Sequence, residues 1–302
     1  MINLASYARA LMPGVNAWYG MGYNEYPEVW SQIFKTYNSD KNFEEDVNTY
    51  GMGLAQVKSE MGSIQYQDMA QGGIKRYQHV TYGLGFIVSR EQVEDNQYEQ
   101  LAEQRSKALG MSARQTKENV AANILNRAFD SNYLQPDGVV LCSTAHKLSK
   151  GGTYANRLTN GADLSEASIE DSLIQIRRFT NDAGLRISVQ GQKLIIPIES
   201  QFEAKRILGN DYRPGTADRD INAMVSMGML PGGYVINPYL TDSDAWFILT
   251  DVPDGMKHFE RRAIEISNDT ADFDTENMKF KLTYRDSFGV TDMRAIFGSP
   301  GA

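Results

Sequence analysis

The sequence predicts an α+β fold: a long helix lies against a β layer, and a separate α/β lobe is inserted in the chain. Three observations predict it. From Ser89 to Asp130 no proline intervenes, and apolar residues (Leu101, Leu109, Ala121, Ile124, Leu125, Phe129) recur mostly at three- and four-residue spacing. Met278, Phe280, Leu282 and Tyr284 alternate with Lys279, Lys281, Thr283 and Arg285, the period of a half-buried strand. Between these, from Leu164 to Val252, helical and strand patterns take turns.

Composition sets the bounds. The chain has 302 residues, 41% hydrophobic and 23% charged, an ordinary balance for a folded globular protein. No run approaches the roughly 18 apolar residues of a membrane-spanning helix, and no basic stretch precedes an apolar core at the N-terminus. The single cysteine, Cys142, excludes an internal disulfide framework and fits a reducing compartment. Lys plus Arg number 30 against 38 Asp plus Glu, a formal charge of −8. Gripping duplex DNA takes clustered cations; Arg177-Arg178 and Arg261-Arg262 are isolated pairs. Sequence-specific DNA binding is therefore not expected.

Residues 1–50 read as an arm. Tyr7, Trp18, Tyr19, Tyr23, Tyr26, Trp30 and Tyr37 crowd it, while Pro13, Gly14, Gly20, Gly22 and Pro27 argue against long regular elements. Glu28–Tyr37 has the spacing of one short amphipathic helix. Glu44-Glu45-Asp46 reads as a solvated face, because nothing is spaced to complete a metal site. Residues 51–88 read as a two-stranded ribbon. A weak outgoing strand runs from about Leu54 to Tyr66, the tip is near 68–73, and Val80 to Val88 returns. An isolated ribbon is marginal in water, so a neighbouring subunit is expected to hold it.

Ser89 and Gln92 form a capping box that opens the long helix. About 40 residues at ~1.5 Å each make a rod of roughly 60 Å, packed at its C-terminal half and crossing open surface before that. Gly110 lies inside it. A single rod is preferred to two helices broken at this glycine, which either lets the rod bend or marks close helix packing at a small residue, the second being preferred. Val139–Cys142 reads as a short strand. In the lobe, Ser165 caps a helix ended by Gly184, and Ser200 with Glu203 opens a second. Strands are expected at 185–189, 193–198, 234–237 and 245–250. Leu194 to Ile198 is nearly all apolar, as in a strand covered on both faces. After 256, Ile264 and Ile266 mark a partner for the strand at 278–285, Ser287-Phe288-Gly289 a turn, and 290–297 a last strand that returns to the long helix.

No catalytic constellation emerges. Cys142 and His146 form a lone C-x3-H that lacks two further zinc ligands. Ser143 near His146 has neither a nucleophile elbow nor a third member. Ser149-Lys150-Gly151-Gly152-Thr153 lacks the order of a phosphate loop, and Gly83-Leu84-Gly85 lies within a strand. No catalytic, cofactor-binding or metal-ligating residue is assigned.

This order of parts resembles the major capsid proteins of tailed bacteriophages, the Hong Kong 97-type fold. Ser143 to His146, Asn156, Leu164-Ser165, Leu194 to Pro197, Ala204 to Leu208 and the ending Tyr284 to Gly289 are similar in character and order to the Mu-type head-subunit branch. The resemblance implies an N-arm (1–50), an E-loop ribbon (51–88), the first part of a P-domain with its spine helix (89–163), an inserted A-domain (164–255) and P-domain return strands (256–302). It implies a structural subunit, not an enzyme, assembling into pentamers and hexamers of an icosahedral shell around phage DNA. The implied partners are copies of itself, a separate scaffold, a portal and decoration proteins, with no membrane. The implied location is the virion, assembled in the host cytoplasm. Because the chain begins almost directly with the arm, either a separate scaffold serves or a leader is missing. Two other readings stand beside it: an encapsulin-type nanocompartment shell, and a soluble α/β enzyme using the lobe. Candidate inter-subunit contacts are Trp18, Tyr19, Tyr23 and Trp30 on the arm, Lys58, Glu60, Lys75 and Arg76 on the ribbon, and Arg213 in the lobe's charged loop.

Overall fold

Two four-stranded sheets, joined through one long helix, carry the chain in the computed structural model. The structure describes residues 4–49, 52–64, 66–67, 71–94, 98–148, 151–212, 220–253, 255–269 and 277–302. The first sheet has the order β1 (Lys35–Asn38), β10 (Met256–Asp269), β11 (Met278–Val290), β4 (Val80–Val88). β1 runs parallel to β10 and the other pairs are antiparallel. The second sheet has the order β12 (Ile296–Ser299), β9 (Trp246–Thr250), β7 (Gly191–Ile196), β8 (Tyr234–Ile236). Helices α4 (Glu166–Arg177), α5 (Gln201–Leu208) and α6 (Ala223–Ser226) accompany it. A hairpin, β2 (Phe43–Thr49) with β3 (Gln71–Gln78), and the small pair β5 (His146–Lys147) with β6 (Thr153–Tyr154) complete the strands.

The expected long helix is α3 (Tyr98–Asn126), 29 residues unbroken through Gly110. The predicted capping box forms: Ser89 N–H donates to Gln92 Oε1 at 3.2 Å, and Gln92 N–H to Ser89 Oγ at 3.3 Å. It opens α2 (Arg90–Glu94); residues 95–97, where a single rod would join α2 to α3, lie outside the described residues. The C-terminal half packs as expected, with Ala121, Leu125 and Ala128 in one core with Ile195, Phe247 and Ile296 of the second sheet. Strand β7 is covered on both faces, since Leu194 and Ile196 enter the opposite core with Ile169, Leu173 and Trp246.

Several expectations are corrected. The first half of α3 does not cross open surface: α1 (Leu4–Tyr23), a 20-residue helix containing Pro13, lies along it. The arm's glycines do not break this helix. A Cβ on Gly22 would sit 2.2 Å from the Lys107 carbonyl oxygen, and one on Gly110 would sit 2.5 Å from that of Tyr19. The backbones touch there, and only glycine leaves room. Residues 28–37 form a 3-10 turn (Trp30–Gln32) and then β1, not one helix. The ribbon's outgoing strand is β2, upstream of the predicted one, and 52–67 carries no helix or strand among its described residues. β4 is a strand of the first sheet instead, paired to β11. Residues 139–142 and 187–189 form no strand, and Thr180↔Arg186 is an isolated bridge. Helix α4 stops at Arg177, well before Gly184. Ser165 caps α4 with Ser168, but Ser200, with its backbone at φ −84° and ψ 0° instead of extended, makes no side-chain cap to α5, and Glu203 pairs with Arg206 at 2.7 Å. β11 runs straight through the predicted turn at 287–289, and the last strand, β12, pairs with β9 of the second sheet.

Candidate assembly interface

The β2–β3 hairpin projects from a root fixed by buried polar groups. Tyr77 is buried, and its hydroxyl meets Thr291 Oγ1 at 2.6 Å. Thr291 gives its own hydrogen to Asp46 at 2.7 Å, so Tyr77 is the donor of the pair. Asp46 is also ion-paired to Lys257. The acidic cluster expected to be a solvated face is therefore engaged: Glu45 pairs with Arg76 at 3.2 Å, and Glu44 accepts from Ser39 at 2.8 Å. Because Ser39 spends its hydrogen on Glu44, it must accept from His79 Nε2–H at 3.0 Å. His79 Nδ1 then accepts from Ser287 Oγ at 3.0 Å, which is the neutral tautomer. Burial, then the nearby Arg285, holds this imidazole below its ordinary pKa.

Above the root, Lys75 donates to Gln135 at 2.9 Å and is pushed down in pKa by burial, while Arg76 lies 3.8 Å over the Phe43 ring. Two of the ribbon candidates are thus engaged within the chain. Lys58 and Glu60 are exposed on the loop beyond. That loop presents Leu54, Val57, Met61, Ile64 and Tyr66 to solvent, with Val57 and Met61 fully exposed. A tight turn closed by Gly62 N–H to Ser59 carbonyl, 2.9 Å, holds Met61 at φ 68°, a conformation costly for a side chain without local hydrogen bonding.

The arm is held differently. On α3, Arg114 donates to the Tyr23 carbonyl at 3.1 Å, pairs with Glu28, and lies 4.3 Å over the Tyr23 ring. Glu118 accepts the Val29 and Trp30 N–H groups at 2.8 and 3.0 Å. Lys117, buried, sits 3.6 Å from both Glu260 and Asp286 and 5.2 Å over Trp30. Trp30 is consequently in this chain's own core. Trp18 packs with Val15 and Phe280, and Tyr19 and Tyr23 pack with Leu109 and Tyr284. Sequence reasoning missed this clamp. The available signal was that Arg114, Lys117 and Glu118 fall at i, i+3 and i+4 within the interval between the packed Ala113 and Ala121.

The residues weighed for chemistry form a structural lock. His146 Nδ1 meets Asp137 Oδ2 at 2.5 Å, and Nε2 faces the Leu141 carbonyl and Asn156 Oδ1, both at 3.1 Å. Both ring nitrogens face partners other than Ser143, whose Oγ instead accepts from Ala145 N–H at 3.2 Å. Asn156, fully buried, donates to the Leu141 and Met293 carbonyls at 2.8 and 2.9 Å, tying 141–156 to the turn before β12. Cys142 is buried, which pushes its thiol far up in pKa. Among the described residues no three His, Cys, Asp or Glu side chains lie close enough to hold a metal, and no helix is long and apolar enough to cross a membrane. Arg213 lies outside the described residues.

A family model described as phage capsid protein matches residues 73–298, from β3 to β12. The chain belongs to the phage capsid protein family. Solved structures agree in fold over nearly the whole chain. The capsid of Cyanophage P-SCSP1u aligns at TM-score 0.57 and 9% identity, covering 91% of this chain and 88% of that one. The protein of Mycobacterium phage Che8 aligns at 0.56 and 13%, covering 90% of each. The virus-like particle from Pyrococcus furiosus aligns at 0.54 and 10%, covering 94% and 97%. No curated protein sequence matches this capsid protein. It is a shell subunit of α+β fold, and the family match begins at β3, downstream of α1 and the loop at 52–67.

Proposed function

We propose that this chain is the major head subunit of a tailed phage, with no chemistry of its own, and that copies form pentamers and hexamers of an icosahedral shell enclosing DNA. The observation that carries the reading is the loop at 52–67: apolar side chains in water at the end of a stalk whose root is locked by Tyr77, His79 and Asp46. A monomer gains nothing from that arrangement, whereas a neighbour covering it recovers roughly 25 cal/mol per Å² of apolar surface. Several contacts of this kind, each weak, become strong together once a closed assembly engages them all. Lys58 and Glu60 belong to this contact. Trp18, Tyr19 and Tyr23 contribute through the minor part of each side chain that stays exposed, whereas Trp30 serves the subunit's own core. The domain division 1–50, 51–88, 89–163, 164–255 and 256–302 is proposed with the last strand assigned to the inserted lobe's sheet. Scaffold and portal are separate proteins in this reading, assembly takes place in the host cytoplasm, and the −8 charge lets packaged DNA slide along an acidic wall. A precedent for decoration is the capsid of bacteriophage JBD30, decorated with minor capsid protein trimers.

Purified chain should yield particles tens of nanometres across by negative-stain microscopy. A small discrete oligomer with turnover of a small molecule would overturn the reading in favour of an enzyme. The likeness to a virus-like particle supports a second reading, a nanocompartment shell, and protein cargo in place of nucleic acid inside native particles would select it.

A further inference from the structure

One buried amine has no part in shell assembly. Lys117 of α3 reaches the first sheet beside two carboxylates, Glu260 of β10 and Asp286 of β11, which are directly opposite each other in the strand register. Like charges so placed are destabilising. The Lys117 and Asp286 side chains are 5% and 1% exposed, whereas Glu260 keeps 31%. Lys117 Nζ lies 3.6 Å from one oxygen of each carboxylate, beyond hydrogen-bond distance, and among the described residues Asp286 Oδ1 has no partner. A buried ion pair repays its desolvation only when its remaining polar atoms are hydrogen-bonded; this pair leaves one bare. An amide between Lys117 and Asp286 removes both buried charges and the repulsion across the strands. The carboxylate that remains, Glu260, is the one that still reaches water.

We propose that Lys117 Nζ and Asp286 Cγ condense into an isopeptide bond within the chain. Lys117 first gives a proton to Asp286, which neutralises both groups. The Nζ lone pair then attacks Cγ; the Nζ–Cγ bond forms, a Cγ–O bond breaks, and the oxygen leaves as water. Glu260, beside the same nitrogen, carries the second proton from Nζ to the leaving oxygen. No atom changes oxidation state. His258 Nε2–H donates to Asp286 Oδ2 at 3.3 Å and keeps that oxygen as the carbonyl, so the bare Oδ1 is the one that leaves. Thr36 Oγ1, 3.3 Å from His258 Nδ1, suits this tautomer by donating there. Aromatic rings close the site: Trp30 and Tyr284 lie 5.2 and 5.6 Å from Nζ, and Phe288 stacks on His258 at 4.4 Å. Held in place, the two groups react as one molecule, and the excluded water cannot hydrolyse the product. The bond ties α3 to β11 and joins no copies to each other. It is the one exception in a chain otherwise without chemistry, and it forms once per chain.

Mass spectrometry of the purified full chain, denatured, tests it. The chain should weigh less than its sequence by one water, about 18 Da, whether taken as free subunits or from particles. Trypsin should skip Lys117 and release Gln115–Arg127 joined to Asp286–Arg294. A chain of full sequence mass overturns the inference. So does a lost water without the joined peptides, which is dehydration elsewhere, as at Asp137-Gly138. Lys117→Arg keeps the cation and removes the attacking amine, so it should restore the full mass; a water still missing would place the condensation elsewhere and overturn the inference. Glu260→Gln should lower the joined fraction at least tenfold at equal time after synthesis, and an unchanged fraction would overturn its part in the step. Absence of the bond leaves the shell reading standing, and absence of particles leaves the bond standing.

Discussion

The N-terminal helix and the 52–67 loop look alike in sequence, both dotted with glycine and rich in large apolar residues, yet one packs on its own chain and the other does not. The difference lies in what each meets. Gly22 and Gly110 let α1 and α3 touch backbone to backbone, and Arg114 and Glu118 then take up the polar groups of 23–30 where the chain leaves the helix. The loop's apolar side chains stand in solvent, and none of them joins either sheet's core. Aromatic density alone does not mark an intersubunit contact; aromatic or apolar surface with nowhere to go on its own chain does.

Breaking the glycine contact should have the largest effect. Gly22→Val places a methine carbon 2.2 Å from a backbone oxygen that cannot move alone. A stability loss of about 3 kcal/mol or more is expected in urea unfolding. Gly110→Ala sharpens the point through its sign. On an unconstrained helix it would stabilise by ~1 kcal/mol; against the Tyr19 carbonyl it should destabilise, and a stabilised variant would remove the packing role. Next comes Glu118→Gln, which turns one acceptor of the Val29 and Trp30 N–H groups into a donor. A loss of about 2 kcal/mol is expected, seen also as faster exchange of those two amides.

At the loop root the effect is a pH dependence. Burial and Arg285, with Arg261 beyond, hold His79 below its ordinary pKa, against the opposing pull of Glu44 and Asp286. The unfolded chain therefore binds a proton that the folded chain refuses. This contribution is fully present above about 6.5 and is lost as pH falls from there through the lowered folded value. Wild type should lose more thermal stability between pH 7.5 and 5 than His79→Gln does; equal losses would show that the relay through Ser39 and Ser287 does not sense the ring's charge. The smallest effect on the subunit should come from the loop itself. Val57→Ser with Tyr66→Ser should change subunit stability by less than about 0.5 kcal/mol while lowering particle yield. A large loss of subunit stability would mean that the loop packs on its own chain.

Much of the lobe was legible because its signals are local. A doubly covered strand at 194–196 and a serine-capped helix at 166–177 follow from short patterns. The site was legible only in part. Leu54–Tyr66 kept its strand pattern but found no partner, and the hairpin formed between 43–49 and 71–78 because pairing register depends on what lies across the strand. The clamp at Arg114, Lys117 and Glu118 was not legible, because charged residues on a helix look solvated until a partner backbone is placed beside them.

By itself the sequence determined the α+β class, the long helix, the two-sided strand of the lobe and the alternation of β11, since each is set by periodicity within a dozen residues. Only the tertiary structure decided that Gly22 in α1 is a contact point instead of a break, that β12 closes the second sheet, and that β4 has no second strand partner among the described residues. Those outcomes depend on which backbones come within hydrogen-bond or van der Waals distance across hundreds of residues, and no local pattern records that distance.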